Sequence, residues 1–273
     1  MDRILITTDL SARSTHALTR GFTLASSLGA RVRVVSVVDD AIPEPLVAGL
    51  VADMTKELRR ETAALASEVP CNYEIQVSSG DVSEEIVKQA ANFDADLIVL
   101  GLHRDRAVID SFRETTMERI ARLSHNPVLL VRNAVEGDYR NVLCAIDFSP
   151  AAAAAVAAAK QIAGSADYKL FHAYHVVHHM RADFPVNVDL FMRQAEAECK
   201  NWAAANPELA ALGKVELIDG PLESVFEKQI KRHGPDLVAL GAHSRPALSR
   251  FLFGSFAKDL IRDPPTDVLV CQP

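Results

Sequence analysis

Cysteine is sparse and scattered. Only Cys71, Cys144, Cys199 and Cys271 occur in 273 residues, without a C-x-x-C pair. That spacing speaks against a disulfide scaffold or a thiolate zinc site and reads as the reduced thiols of a cytoplasmic protein. Long apolar runs are missing too. No stretch reaches the roughly 18 residues that a membrane-spanning helix needs, and the alanine run Ala151–Ala159 is weakly apolar and stopped by Lys160, as in a closely packed helix. The opening MDRILITTDLS enters a strand-like run with no secretory core, so a cytoplasmic location without a membrane partner is expected. Positive charge is short: 29 Lys and Arg stand against 36 Asp and Glu, a net charge of −7. This balance repels phosphate backbones and excludes nucleic acid as an expected partner. The nearest basic cluster, Arg104, Arg106 and Arg113, is broken by Asp105 and Asp110. There is also no G-x-x-x-x-G-K-[ST] loop, which removes the lysine-based phosphate cradle.

What the chain does have is itself, twice. Gly80–Gly101 (GDVSEEIVKQAANFDADLIVLG) and Gly220–Gly241 (GPLESVFEKQIKRHGPDLVALG) match in register at Gly80/Gly220, Lys88/Lys228, Gln89/Gln229, Asp96/Asp236, Leu97/Leu237, Leu100/Leu240 and Gly101/Gly241. ILITTDLS (Ile4–Ser11) likewise answers VLCAIDFS (Val142–Ser149). A repeat of this length predicts two similar domains, 1–135 and 139–273, with the boundary in the polar stretch Asn133–Asp138. A hydrophobic content of 49% with 24% charged residues is enough for each to bury a core.

Within each half, β-branched runs alternate with helical periodicity. The predicted strands are Ile4–Thr8, Val32–Val38, Tyr73–Ser78, Leu97–Gly101 and Val128–Val131, then Val142–Ile146, Lys169–Tyr174, Val215–Ile218, Leu237–Gly241 and Val268–Cys271. They read as apolar on both faces, as in parallel sheets covered on each side by helices. Helix signals fill the gaps: Leu18, Phe22 and Ala25 at helical spacing before Gly29, the amphipathic Pro45–Val69 and its counterpart Val188–Ala205, and the Ser149-Pro150 start. The expected fold class is α/β: two tandem doubly wound domains, each a five-stranded parallel sheet of order 3-2-1-4-5 flanked by helices.

In such sheets a ligand sits beyond the carboxyl ends of the strands, where the winding reverses. That places Asp9 and Gly101 in the first crevice, and Asp147 and Gly241 in the second. Each Asp either contacts a ligand or caps the next helix, a task Ser11 and Ser149 can also perform. The second crevice continues as GAHSRPALSRFLFGSFAKDL from Gly241. Gly254-Ser255 directly before a helix offers close backbone approach, unpaired N–H donors and a positive dipole end. Ser244, Ser249 and Ser255 add hydroxyls, and Arg245 and Arg250 add charge; His243 reads as a hydrogen-bonding wall.

Gly241-Ala-His-Ser244, nine residues, then Gly254-Ser255 resembles the signature of universal stress proteins, G-x-x-G, nine residues, G-[ST]. The resemblance extends over both halves, so the chain looks like a tandem universal stress protein. It implies ATP as ligand of the second domain, with Asp147 and the strand end near Ala173 holding adenosine. Gly241, Gly254 and Ser255 would cradle the phosphates, with His243, Ser244, Arg245, Arg250 and Phe256 as further candidate nucleotide-binding residues, and Mg²⁺ would enter through the phosphates. Ser244 adds a Cβ where the family has its second glycine. The first copy departs further: in the set Asp9, Val37, Gly101, Arg104, Glu114 and Thr115, arginine replaces the second glycine and Glu114-Thr115 replaces Gly-[ST]. A carboxylate at the phosphate-facing helix start repels an anion. It would otherwise stabilise its own helix or pair with Arg104 or Arg113, so this site is expected to be degenerate.

The resemblance implies a stress-response protein in which nucleotide binding changes conformation or partner choice, with weak ATP hydrolysis at most and no catalytic residue assigned. The alternative is an interaction scaffold with both sites lost. The fifth strands are expected to pair within one chain as a pseudo-dimer, with a homodimer as a further assembly. The histidine tract His172–His179 invites a zinc reading, but His172 and His175 face opposite ways on a strand and no Cys or carboxylate pair completes a set. No metal ligand is assigned.

Overall fold

The computed structural model describes residues 1–12, 14–102, 114–174, 188–242 and 254–272. Two compact units emerge: Met1–Asp138 together with Lys258–Val270, and Tyr139–Ala257 together with Cys271–Pro273. The first holds β1 (Arg3–Thr7), α1 (Ser14–Leu28), β2 (Arg31–Asp39), α2 (Glu44–Glu68), β3 (Asn72–Gly80), α3 (Val82–Asn92), β4 (Leu97–Gly101), α4 (Thr116–Leu123) and β5 (Val128–Val131). The second holds β6 (Asn141–Ala145), α5 (Pro150–Ile162), β7 (Asp167–Tyr174), α6 (Val188–Ala205), α7 (Pro207–Ala210), β8 (Val215–Asp219), α8 (Leu222–His233) and β9 (Leu237–Gly241). The chain then runs through α9 (Ser255–Arg262) and β10 (Asp267–Cys271), most of which belong to the first unit.

In the first unit the sheet runs β3-β2-β1-β4-β5-β10, and in the second β8-β7-β6-β9. Both sheets are doubly wound, with β1–β5 and β6–β9 parallel, but by unit they hold six and four strands where five in each were expected. The first sheet carries one strand more than five: β10 pairs antiparallel with β5, Leu269 opposite Leu129. This pairing consumes the row of backbone donors and acceptors that β5 would otherwise expose. The expectation of strands apolar on both faces needs a correction at β3, whose residues alternate between exposed and half-buried. As an edge strand β3 has one open side and one wet face, so only the central strands read as continuous apolar runs. There Ile4, Leu5, Ile6, Leu97, Ile98 and Val99 are wholly buried.

The repeated residues have structural causes. Asp96 accepts the N–H groups of Asp2 and Arg3 at 2.6 and 2.9 Å, and Asp236 accepts those of Arg140 and Asn141 at 2.8 and 3.0 Å. In each copy one carboxylate pins the start of the first strand beside the fourth. Gly80 and Gly220 take φ of 148° and 141°, values that side-chain-bearing residues avoid. A buried acid, Asp267, ties β10 to the first unit. Its Oδ1 accepts the N–H groups of Arg132 and Asn133 at 2.8 and 3.2 Å, and Oδ2 lies 3.6 Å from Arg20 Nε.

Candidate functional site

Both first strands end in the same turn. Asp147 Oδ1 accepts the N–H and the hydroxyl of Ser149 at 3.0 and 2.6 Å, and Asp9 Oδ1 accepts the N–H of Ser11 at 3.0 Å. The residue between is left-handed in each copy, Phe148 at φ 62° and Leu10 at φ 61°. Non-glycine residues hold this conformation only where surroundings impose it, at a cost of roughly 1–3 kcal/mol. Ser149 Oγ then accepts the N–H of Ala152 at 3.1 Å, capping α5, with Pro150 in the first turn. Asp147 thus sits at the strand exit, held by the very residue that starts the next helix.

Beyond β6, β7 and β9 lies a cavity of about 210 Å³ whose lining includes Asp147, Ala173, Gly241, Gly254 and Phe256. These five sequence-predicted residues are brought together from four segments of the second unit. Ser255 opens α9 and is exposed, outside the lining. His243, Ser244, Arg245 and Arg250 lie outside the described residues, as does the rest of the loop before Gly254. The apolar floor is built from rings: Phe256 meets Phe226 edge-on at 5.0 Å, and Phe226 lies 6.5 Å from Phe171. Ile146, His172, Leu222 and Ala242 also line the cavity and were not anticipated there. His172 has a signal in the sequence, the histidine tract, where a solvated or hydrogen-bonding role is expected over metal binding. Its Nδ1 lies 2.7 Å from the Ile146 carbonyl oxygen, while His175, His178 and His179 lie outside the described residues. Among the described residues no group of three potential metal ligands occurs.

Gly241 has a packing reason of its own. A Cβ there would stand 2.7 Å from Ala152 N and 2.8 Å from Ala151 Cβ, so the alanine-rich start of α5 and the end of β9 meet through two small surfaces. Gly254 N donates to the Ala242 carbonyl at 3.3 Å, and Ala242 N donates to the Cys271 carbonyl at 2.8 Å, joining the ends of β9 and β10 to the start of α9.

The corresponding helix start in the first unit is closed by its own side chains. Thr115 caps α4: its Oγ1 accepts from Glu118 N at 3.2 Å while Glu118 Oε2 accepts from Thr115 N at 2.6 Å. This reciprocal pair occupies N–H donors that an anion would need. Glu114 precedes the cap and accepts Arg122 Nε and Nη2 at 2.6 and 2.8 Å, so Arg122 holds its carboxyl below the usual range. Arg122 is its described partner, where Arg104 or Arg113 was anticipated; both of those lie outside the described residues. Asp9 is exposed, Val37 is half-buried in β2, and Gly101 ends β4. At the position matching Glu118, α9 carries Lys258, so the capping box of α4 has no counterpart in sequence at Ser255.

A doubly wound sheet flanked by helices, with a cavity at the carboxyl ends of its strands, places the chain in the α/β class. The profile of the universal stress protein family matches residues 1–132 and again 138–272, and the chain belongs to that family, in tandem form. Among curated proteins it is similar to the stress response protein NhaX of Bacillus subtilis (strain 168), 24% identical over 48% of this chain and 98% of the relative. Among solved structures, PA1789 of Pseudomonas aeruginosa PAO1, described as functionally unknown, has a TM-score of 0.69 at 17% identity, covering 100% of this chain and 93% of that one. A universal stress protein of Archaeoglobus fulgidus DSM 4304 has a TM-score of 0.67 at 17% identity, covering 99% and 98%. Family membership gives the chain a stress-response role. No helix among the described residues is long and apolar enough to cross a membrane.

Proposed function

We propose that this protein is a cytoplasmic stress-response protein that binds ATP in the second repeat, with Mg²⁺ carried on the phosphates, and that occupancy biases conformation or partner choice instead of driving catalysis. The observation that carries the reading is the cavity that gathers Asp147, Ala173, Gly241 and Gly254 at the strand ends. The family signature at Gly241 and Gly254-Ser255 supports it, as does the contrast with the first repeat. There, Thr115 and Glu118 occupy the matching helix start and Glu114 stands where Gly254 does. Pairing of β5 with β10 supports the intramolecular pairing of the two fifth strands. A ligand acts on such a protein only through its differential affinity for two arrangements.

Titration calorimetry with Mg·ATP on the wild type and on Gly254→Glu tests the reading. Micromolar binding that falls by at least about tenfold in the variant is the expected result. Equal heats from both proteins would end it. The scaffold reading draws on a specific observation: Gly241 is accounted for by α5 packing and Asp147 by its bonds to Ser149. Wild type that takes up no ATP would favour it.

A further inference from the structure

We propose that His172 is the residue through which the cavity distinguishes a base-bearing nucleotide from a bare phosphate chain, with Phe148 as its backing; the inference rests on the nucleotide reading above. His172 lines the cavity and is 9% exposed. A carbonyl oxygen only accepts, so the 2.7 Å contact with Ile146 O places a proton on Nδ1 and fixes the ring plane. The ring packs against Phe148 at 4.4 Å between centroids and 36° between planes. Phe148 in turn lies 6.5 Å from the ring of Trp202.

The first repeat shows what the backbone alone requires. Ser36 Oγ donates to the Thr8 carbonyl at 2.8 Å, the same bond from the same register position, since Thr8 N pairs with Val35 O as Ile146 N pairs with Phe171 O. Leu10 takes the left-handed place of Phe148. A hydroxyl and an aliphatic side chain therefore satisfy this turn. The ring pair is an addition found in the repeat that carries the Gly254-Ser255 motif, and its His172 member lines the cavity. A rigid, oriented aromatic surface gains most from a flat heterocycle, for which stacking on a side chain strengthens binding by roughly five- to a hundredfold. It gains nothing from phosphate oxygens.

Trp202 is the single tryptophan, 5% exposed, and its Nε1 has no hydrogen-bond partner among the described residues. Beside Phe148, its fluorescence reports on the ring pair. The test compares Mg·ATP with inorganic tripolyphosphate on the wild type, on His172→Ser and on Phe148→Leu. Both substitutions copy the first repeat and keep the turn satisfied, and a melting curve confirms folding. Expected are wild-type affinity higher for ATP than for tripolyphosphate, a fall of about tenfold or more for ATP in His172→Ser, and tripolyphosphate binding within about twofold of the wild type. Trp202 emission should respond to ATP and not to tripolyphosphate. Wild type that binds ATP no better than tripolyphosphate, or His172→Ser and Phe148→Leu that both bind ATP like the wild type, overturns the inference and leaves the nucleotide reading standing. Wild type that binds neither overturns the nucleotide reading itself.

Discussion

Glu118 of α4 is wholly buried and accepts Arg262 of α9 through both carboxylate oxygens, at 2.8 Å from Nε and 3.3 Å from Nη2. The same carboxylate closes the capping box of its own helix. Gln at this position can still cap but removes the charge that faces Arg262. With Glu118 wholly buried and Arg262 partly exposed, the loss is about 1–3 kcal/mol. Glu118→Gln should therefore lower the urea midpoint far more than loss of a surface pair would. A double-mutant cycle with Arg262→Met should recover part of that loss.

Gly241→Ala separates packing from binding. The new Cβ would collide with backbone N of Ala152 and with Ala151 Cβ, neither of which can swing away. Overpacking of this kind costs about 1–3 kcal/mol. The variant should melt earlier in the absence of any nucleotide, by differential scanning calorimetry. Unchanged stability would return Gly241 to a purely ligand-facing role.

Asp81 gives the acid limb of stability a local origin. It caps α3 by accepting Glu84 N at 2.9 Å and pairs with Arg119 at 2.6 Å. The Glu84 N–H bond first, and then Arg119, hold its carboxyl below the usual range. A lowered folded value stabilises above the unfolded carboxylate range, near pH 4, and that contribution is lost as pH falls through the lowered value. Asp81→Asn keeps a capping oxygen without a charge. It should be less stable than the wild type at pH 7 by about 1 kcal/mol or less, with the gap closing toward pH 3 in parallel denaturation curves.

The four thiols should divide into two classes. Burial pushes Cys144 and Cys271 up to about 12, and both side chains are shut from solvent. Cys71 and Cys199 are half-buried and raised less far. Reaction requires the thiolate and access. Intact-mass analysis after maleimide treatment at pH 8 should show two adducts on the native protein and four in guanidinium.

Local signals in the sequence predicted β4, β5 and β9 to the residue, because short β-branched runs between polar turns have few alternatives. Ser149-Pro150 likewise predicted the start of α5, since a cap and a proline act within one turn. The partner of β5 was foreseen only through the family resemblance, as no local pattern links Leu129 to Leu269 across 140 residues. The wetness of β3 was missed because edge position depends on strand order and not on composition. Gly241 looked like a ligand glycine, and its contact with Ala151 appears only when helix and sheet meet. A hydrogen-bonding role for His172 is legible in the tract, but its partner, a carbonyl 26 residues away, is not.

Residues 258–270 complete the unit begun by Met1–Asp138, so the half that is synthesised earlier is finished by residues synthesised after the second half. At synthesis rates of roughly 5–20 residues per second, the strand β5 waits on the order of ten seconds for its antiparallel mate. During that interval an unpaired β5 edge is open to strand addition by any extended chain nearby.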